Sequence, residues 1–362
     1  MPIRQLHVSG LRNLQPLYIS PHPCVNFLYG DNGSGKTSLL EAIAVMASGK
    51  SFRTSHLKHV LAQESERMEM RFQINDENLG DCELESLRLK SGDQLLKLNG
   101  SVLTSQADAA HWLPVQVIEP NTFKLLTGSP EERRSFIDWG VFHVEHNFMN
   151  QWKAFRKHLK QRNSILKQKD PDQLEVWNAG FIESAKAIDD QRQRYLRRFK
   201  PEFDRILSQL DDTIKVSLAY YPGWEKDSEL SDILAKQQER DMVVGFTQSG
   251  PHRAELRIKC DKQPAAEILS RGQQKTVVAA LKIAQGGLFQ QESGRQTIYL
   301  VDDLASELDQ HHRLALCKLL EDLKCQVFIT SIDKEKLTDV WQPVASKVFH
   351  VEHGTINEEN PE

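Results

Sequence analysis

Apolar and polar residues alternate in short runs over the first part of the chain, which is the pattern of β-strands. Alternation at residues 68–74 and 82–89 predicts strands with one buried face, and the apolar runs at 25–29 and 115–118 predict buried strands. Residues 37–48 instead place apolar side chains at helical spacing. This first region is therefore predicted to be α/β.

The pattern changes to helical periodicity near residue 129. Ser129 and Pro130 form a helix start, with a capping hydroxyl before a proline at the first helical position. Apolar residues then recur at steps of three, four and seven up to Leu210, and Pro201 is expected to divide that stretch into two helices. Strand-like alternation returns near Val216. We predict an α/β domain in two parts, residues 1–128 and 241–362, around a mainly helical insertion at residues 129–240.

A glycine-rich turn lies between the strand at 25–29 and the helix at 37–48. It fits the pattern G-x-x-x-x-G-K-[ST] without a mismatch. We predict that all eight residues bind nucleotide: Gly30, Asp31, Asn32, Gly33, Ser34, Gly35, Lys36 and Thr37. Backbone N–H groups would surround the phosphates, Lys36 would reach the β- and γ-phosphates, and the Thr37 hydroxyl would bind Mg²⁺. A plain glycine turn is the alternative, which the flanking strand and helix disfavour.

The apolar strand at residues 297–301 ends in two carboxylates, Asp302 and Asp303. Open α/β sheets bind ligands at the carboxyl ends of their strands, so we expect this pair beside the phosphate site. Asp302 is predicted to hold Mg²⁺, directly or through water. Asp303, which would orient the attacking water, and Lys36 are the candidate catalytic residues. Strands also end in aspartate for turn formation alone, and the glycine-rich turn is what favours the functional interpretation.

A second anion site is predicted where a helix begins near Ser270. The Ser270 hydroxyl is a helix cap, and together with the N–H groups of Gly272 and Gln273 it can bind an anion. One phosphate site is already present, so we expect this second one to close over the nucleotide of another subunit, with residues 306–309 reaching across the same interface. A plain helix cap is the alternative.

Two hydroxyl groups follow the apolar strand at residues 326–329. Thr330 and Ser331 are candidates to face the γ-phosphate. An ordinary strand end is the alternative, and the residues alone favour it.

Composition excludes a collagen-like, wholly disordered or disulfide-scaffold protein. Of 362 residues 39% are hydrophobic, and 46 Lys and Arg against 50 Asp and Glu give a net charge of −4. The 5 cysteines are an odd number without a Cys-x-x-Cys pair, which favours reduced thiols in a cytosol. No apolar run reaches membrane-spanning length, and the N-terminus lacks the pattern of a secretory signal. We expect a cytoplasmic protein outside the membrane.

The small net charge conceals an uneven distribution. Residues 153–200 carry 13 Lys and Arg against 6 Asp and Glu, whereas residues 290–362 carry 7 against 14. A basic face on helices suits sequence-independent contacts with nucleic-acid phosphates, although a solvated face is the alternative. The candidate contacts are Arg156, Lys157, Lys160, Arg162, Lys167, Arg192, Arg194, Arg197, Arg198 and Lys200. A second candidate patch consists of Lys50, Arg53 and Lys58. For three other arginines we expect structural ion pairs or interface contacts rather than DNA contacts: Arg133, Arg134 and Arg253.

Four motifs in this order resemble the ATP-binding-cassette class: the P-loop, Leu-Ser-x-Gly-Gln at 269–273, the Asp302–Asp303 pair, and Ser-x-Leu-Asp at 306–309. Arg271 replaces the usual glycine, and a hydroxyl residue stands where transporter subunits carry histidine, which points toward the DNA-repair branch. Further runs are similar to the RecF family, at residues 11–14, 128–134, 137–143 and 249–253. The resemblance extends over residues 3–350.

The RecF resemblance implies an SMC-like, ABC-class P-loop ATPase head with an inserted helical lobe and no long coiled coil. It implies ATP and Mg²⁺ as cofactors, binding to single- and double-stranded DNA, and a homodimer that ATP closes. It also implies a weak, DNA-stimulated ATPase that acts as a switch. RecO and RecR are the implied partners, with RecA loading at gaps as the result, in recombinational repair, replication and the SOS response.

The same motif match assigns expected roles to individual residues. Ser270 contacts ATP of the partner subunit, and Asp303 stands in the place of a catalytic glutamate. Gln116 stands in the place of a metal-sensing glutamine, and Arg12 and Asn13 lie near the nucleotide.

Two other functions stay open at the level of sequence. An energy-coupling subunit of a membrane transporter uses similar motifs, but the long basic insertion and the missing histidine disfavour it. A nucleotide switch with negligible turnover stays possible because Asp303, whose side chain is shorter than that of glutamate, stands at the catalytic position.

Overall fold

The computed structural model describes residues 2–76, 80–121, 123–303, 309–335, 341 and 346–359. The chain divides into two compact units. The head comprises residues 1–122, 206–211 and 275–362, and the lobe comprises residues 123–205 and 212–274.

The strands gather toward the two ends of the chain, and the longest helix lies in its middle. The strands are β1 (Ile3–Ser9), β2 (Leu17–Ile19), β3 (Val25–Tyr29), β4 (Arg67–Asp76), β5 (Gly80–Leu89), β6 (Gln94–Leu98), β7 (Ser101–Val102), β8 (Val115–Ile118), β9 (Ser217–Tyr221), β10 (Glu255–Cys260), β11 (Gln263–Pro264), β12 (Ile298–Val301), β13 (Val327–Ser331), β14 (Ser346–Glu352) and β15 (Thr355–Glu359). The helices are α1 (Lys36–Ser48), α2 (Gln106–Trp112), α3 (Lys124–Thr127), α4 (Pro130–Val144), α5 (Phe148–Gln168), α6 (Pro171–Leu210), α7 (Leu230–Val244), α8 (Ala265–Ile268), α9 (Arg271–Ser293) and α10 (Gln310–Asp322).

Two six-stranded sheets build the head. One has the order β15-β14-β3-β13-β12-β8 and is parallel except for β15. The other is antiparallel, with the order β2-β1-β4-β5-β6-β7. A single apolar core joins both sheets to α1, because Leu39 and Ile43 of the helix lie in one cluster with Phe72 and Phe328 of the strands. The carboxyl ends of β3, β12 and β13 therefore share one edge beside the start of α1.

Buried amides connect the two sequence parts of the head. The Ile3 N–H donates to Gln326 Oε1 at 2.8 Å, and Gln326 Nε2 donates to the carbonyls of Ile3 and His22, each at 2.9 Å. The side chain of Asn26 donates to the Val327 carbonyl at 3.3 Å. These bonds satisfy buried polar groups near β3, which lies in the sheet between β13 and β14, two strands from the C-terminal part of the sequence.

The lobe combines helices with a small antiparallel sheet of order β11-β10-β9. Buried ion pairs hold it, with Arg162 on Asp241 at 2.9 Å and Arg192 on Asp138 at 2.8 Å. Helix α4 begins at the predicted Pro130, although the Ser129 side chain makes no capping hydrogen bond.

Two expectations from the sequence differ from this fold. Helix α6 runs through Pro201 as one helix, since Phe199 and Phe203 are fully buried on either side of the proline. The lobe also extends to residue 274, past the expected boundary at 240. The reason is the β9–β10 pairing and the bidentate contact of Arg133 with Glu255, which join residues 241–274 to the helical part.

Candidate functional site

A cavity of about 470 Å³ lies at the carboxyl ends of β3, β12 and β13. Its lining consists entirely of head residues: Arg12, Asn13, Asn32, Gly33, Gly35, Lys36, Thr37, Ser38, Arg53, Pro120, Asp302, Asp303, Thr330, Ser331 and Ile332. A larger groove of about 730 Å³ lies elsewhere on the head, around Pro2, Arg4 and Lys324. That groove includes none of the motif residues, so we place the candidate site in the smaller cavity.

The glycine-rich turn has the backbone that its sequence requires. Gly30 has φ 146°, and a Cβ there would lie 2.1 Å from the Val351 carbonyl oxygen, so only glycine fits. Asn13 fastens the turn to the helix that follows, since it donates to the Gly33 carbonyl at 2.7 Å and accepts from the Ser38 hydroxyl at 2.8 Å. Asn13 thus lies in the cavity as the sequence suggested, with a positioning contact on the turn.

Lys36 is buried, and its Nζ donates to two carbonyl oxygens of its own turn, Gly30 at 2.6 Å and Asp31 at 2.8 Å. Burial lowers the pKa of Lys36, while the charges of Asp302, Asp303 and Asp31 oppose that change. The ammonium group is therefore held at the turn by neutral acceptors, which suits it to an incoming anion.

A chain of hydroxyl and carboxylate groups crosses the cavity. Thr37 Oγ1 donates to Asp302 at 2.9 Å, and Thr330 Oγ1 donates to the same carboxylate oxygen at 2.8 Å. The Thr330 hydroxyl also accepts the backbone N–H of Asp303 at 2.8 Å. Asp303 itself has φ 52°, a left-handed backbone that few non-glycine residues adopt. The structure thus brings Lys36, Thr37, Asp302 and Asp303 to one cavity, and Thr330 joins Asp302 to Asp303.

The carboxylate of Asp302 is almost fully buried. Burial raises its pKa; the Thr330 and Thr37 hydroxyls lower it, the charge of Asp303 raises it, and Arg53 lowers it. A divalent cation at this point would replace the lost hydration. Hydroxyl and carboxylate oxygens are ligands that Mg²⁺ accepts, with waters and phosphate oxygens completing its shell. In the described part of the chain no three His, Cys, Asp or Glu residues cluster as a metal cage.

Two serine hydroxyls lack the hydrogen bonds that the Thr330 hydroxyl makes. Ser331 Oγ and Ser34 Oγ are buried and have no hydrogen-bond partner among the described residues. Ser331 lines the cavity, whereas Ser34 belongs to the turn itself. Buried polar atoms without partners cost free energy unless a bound group satisfies them. Of the pair predicted to face a γ-phosphate, Ser331 has a free hydroxyl for that contact and Thr330 does not.

Glu41 organises one wall of the cavity and was missed in the sequence. It is fully buried on α1, accepts two hydrogen bonds from Arg12 at 2.8 Å, lies 3.6 Å from Arg53, and accepts from the Ser51 hydroxyl. Arg12 also donates to the His59 carbonyl at 2.7 Å. Glu41 is the only acidic residue in α1, and that isolation in an apolar helix was the available signal.

Gln116 has a different place from the one expected. It is buried on β8, donates to the Gln285 side chain at 2.9 Å, and is not among the residues lining the cavity. Its position follows from β8 pairing with β12, which turns this side chain toward α9 rather than the strand ends.

The predicted signature residues belong to the lobe rather than to the cavity lining. Ser270 and Gln273 bond reciprocally, since the Gln273 N–H donates to Ser270 Oγ at 3.3 Å and the Ser270 N–H donates to Gln273 Oε1 at 3.0 Å. The Gln273 N–H expected to be free is therefore occupied. Of the segment 306–309, residues 306–308 lie outside the described residues, and Asp309 caps α10.

The basic residues of the lobe fall into two groups. Arg162 and Arg192 are buried in ion pairs, and Arg194 and Arg198 both contact Glu145. Arg194 is exposed as well as paired, and the other exposed candidates are Arg156, Lys157, Lys160, Lys167 and Arg197. Lys200 is half-buried.

The other arginines and the second patch also have defined places. Arg133 pairs with Glu255, as expected of a structural residue. Arg134 donates to the Ala254 carbonyl at 2.9 Å, and Arg253 lies over the Phe246 ring. Lys50 and Lys58 are exposed, whereas Arg53 lines the cavity at the ends of β3, β12 and β13.

Comparison with known families and proteins gives consistent matches. The family described as the RecF/RecN/SMC N terminal domain matches residues 2–357. The DNA replication and repair protein RecF of Stutzerimonas stutzeri (strain A1501) is 46% identical over 361 residues, covering 99% of this chain and 98% of that protein. The protein of the same name from Pseudomonas entomophila (strain L48) is also 46% identical, with the same coverage.

Solved structures give the same result for the fold. A structure of the recombination mediator protein RecF with ATP, described as part of the RecFOR pathway, has a TM-score of 0.87 and 25% identity, covering 99% of this chain and 98% of that chain. An Smc head bound to the C-winged helix domain of ScpA has a TM-score of 0.59 at 15% identity. These matches confirm the SMC-like ATPase head and the RecF resemblance that the motifs indicated. No helix in the described residues has the length and apolar character to cross a bilayer.

Proposed function

Because the chain belongs to the RecF family of DNA replication and repair proteins, we propose that it binds ATP with Mg²⁺ in the head cavity and that the bound nucleotide controls its hold on DNA. The observation that carries the proposal is the group formed by Lys36, Thr37 and Asp302 at one sheet edge. A relative of known structure is described with ATP, which supports the same ligand here.

Each residue of the cavity has a definite task under this proposal. The Lys36 ammonium leaves the turn carbonyls and binds phosphate oxygens, and the turn's N–H groups add hydrogen bonds at the start of α1. Thr37 and Asp302 would hold Mg²⁺, which when bound neutralises phosphate charge. Ser331 supplies its free hydroxyl to the terminal phosphate. Asp303 orients water at the open side of the cavity.

The wider role is proposed on the family's terms. ATP closes two copies of the chain on DNA, with Ser270 of one copy meeting the nucleotide of the other, and slow hydrolysis releases them. RecO and RecR are the partners, and RecA loading on single-stranded DNA next to duplex is the outcome. The RecFOR pathway named for the structural relative supports this part of the proposal. The aspartate at position 303, where the class carries a glutamate, supports a nucleotide switch with slow turnover.

The decisive experiment compares wild type with Lys36→Ala. Removing a charged contact with phosphate should weaken ATP binding roughly 10- to 100-fold, and ATP should no longer strengthen binding to gapped or fully duplex DNA. Lys318→Ala is the matched control, because Lys318 is exposed on α10. The measurements are equilibrium titrations with labelled ATP and labelled DNA across a salt series. Undiminished ATP-dependent DNA binding in Lys36→Ala would refute the proposal.

A further inference from the structure

Helix α5 of the lobe carries positive charge and has no acidic residue of its own. Its sequence from Phe148 to Gln168 contains six Lys and Arg residues and no Asp or Glu. Arg162 is the exception among the six, since it is buried on Asp241. The other five are exposed: Lys153, Arg156, Lys157, Lys160 and Lys167.

These five cations share one face of the helix. At 3.6 residues per turn they fall within a sector of roughly 100°, and the distance from Lys153 to Lys167 along the axis is about 21 Å. Arg162 lies on the opposite side, which explains its burial. The remaining exposed residues of α5 are neutral and polar: Asn150, Ser164 and Gln168. We call this face the α5 stripe.

The cations of the α5 stripe are not engaged elsewhere. No carboxylate among the described residues lies within 4.0 Å of any of them, whereas Arg194 and Arg198 on the neighbouring helix both contact Glu145. Arg156 lies over the Trp152 ring at 4.7 Å, which fixes its direction without neutralising it. An array of unpaired cations on a rigid helix favours a ligand with evenly spaced negative charges.

The composition of the stripe distinguishes between polyanions. Protein interfaces and amphipathic membrane-surface helices present apolar residues beside the charges, and α5 has no exposed apolar residue. Single-stranded nucleic acid is bound by aromatic rings that stack on its bases. Phe148 and Phe155 are buried, and Trp152 lies beneath Arg156, so no ring of α5 is available for stacking.

We propose that the α5 stripe is a binding site for the phosphate backbone of double-stranded DNA, read without regard to sequence. Laid along a duplex, a length of about 21 Å spans roughly six base pairs at an axial rise of ~3.4 Å each. This inference rests on the proposed function, because it specifies where the DNA is bound. Arg162 and Arg192 belong to the same basic segment, but they are not part of this site because both are held in ion pairs within the lobe.

The test uses two full-length variants with the same change in net charge. The stripe variant carries Lys153→Gln, Lys157→Gln, Lys160→Gln and Lys167→Gln. The control variant carries Lys215→Gln, Lys226→Gln, Lys236→Gln and Lys262→Gln, four exposed lysines of the same lobe outside α5. Affinity for duplex and for single-stranded DNA is measured with ATP and Mg²⁺ at several salt concentrations. ATP affinity and the unfolding midpoint report that each variant is intact.

For the stripe variant we expect the slope of log affinity for duplex against log salt to fall by about 0.9 for each phosphate that is no longer neutralised, a total of about 3 to 4. Duplex affinity should fall roughly tenfold or more at low salt, and the control variant should keep the wild-type slope. An unchanged slope in the stripe variant, an equal decrease in the control, or a decrease confined to single-stranded DNA would overturn the site. If wild type binds no DNA, the proposed function fails before this inference is reached.

Discussion

At the scale of single residues, the Thr330 hydroxyl joins the two acidic residues of the cavity. It donates its one O–H to Asp302 and accepts a hydrogen bond from the N–H of Asp303. The second bond lies next to the left-handed backbone of Asp303. We therefore expect Thr330 to position Asp303 rather than to donate a hydrogen bond to the nucleotide.

Replacing Thr330 with valine keeps its shape and removes both bonds. Asp303 should then lose its fixed backbone, and single-turnover hydrolysis of ATP should slow by about 100-fold, as small displacements of a catalytic group do. ATP affinity should stay close to wild type because Lys36 and the turn are untouched.

Thr330→Ser is the matched control, since it restores the hydroxyl and should recover most of the rate. A valine variant that hydrolyses ATP as fast as wild type, with equal affinity, would contradict the positioning role.

His252 in the lobe makes folding stability depend on pH. Burial lowers its pKa to about 4, the Thr247 carbonyl opposes this, and the charges of Arg253, Arg134 and Arg162 lower it further. Its Nε2 donates to the Thr247 carbonyl, while Nδ1 is buried without a partner in the described residues. The folded state thus binds the proton less readily than the unfolded chain does.

The free energy of unfolding should therefore fall as the pH is lowered from the unfolded value of His252, ~6.5, toward its folded value. Between pH 7 and pH 5, protonation of His252 should lower the free energy of unfolding by about 2 kcal/mol. Urea unfolding at both pH values measures it, and His252→Gln should reduce the difference by that amount. An equal pH difference in both proteins would assign the effect to other groups.

At the scale of elements, α6 shows how burial overrides a local preference. Pro201 has no N–H to donate to the Arg197 carbonyl one turn earlier, and a helix interior normally rejects it. Phe199 and Phe203 are nevertheless fully buried on either side of the proline. The apolar periodicity was the better guide to this helix than its proline.

Pro201→Ala restores the missing hydrogen bond at an exposed position. We expect the free energy of unfolding to rise by about 1 to 3 kcal/mol, the upper value being the helix penalty of proline and the lower allowing for its stiffening of the unfolded chain. Urea unfolding monitored by circular dichroism tests this, with Lys200→Ala as the control one residue earlier. No gain from Pro201→Ala would mean that the helix has already adapted to the ring.

The other elements show which patterns are informative. The strand at 25–29 and the helix start at Pro130 were predicted because apolar runs and turn residues act locally. Residues 241–274 belong to the lobe because β10 pairs with β9. That pairing could not be predicted, because the sequence of a strand does not specify which other strand it will pair with. Charge counts along α5 and α6 likewise could not separate Arg162 and Arg192 from the exposed cations, because burial depends on the partner.

At the scale of the whole molecule, the candidate site was predictable where its chemistry lies in continuous motifs. The turn from Gly30 to Thr37 and the acidic pair were identified in this way, and the structure brings them together. The contacts of Glu41 with Arg12, and of Thr330 with Asp303, join residues 29 and 27 positions apart. Such pairs become visible only when the sheet order is known.

The position of β3 has a consequence for how the protein is made. Its two neighbours, β13 and β14, are both encoded near the end of the chain, about 300 residues later. At translation speeds of about 5–20 residues per second, the apolar segment Val25–Tyr29 must wait roughly 15 to 60 seconds for its partners. The whole lobe emerges from the ribosome in that interval and can fold first. The cavity therefore cannot be complete before the end of the chain is made, and until then the unpaired apolar strand is exposed to aggregation.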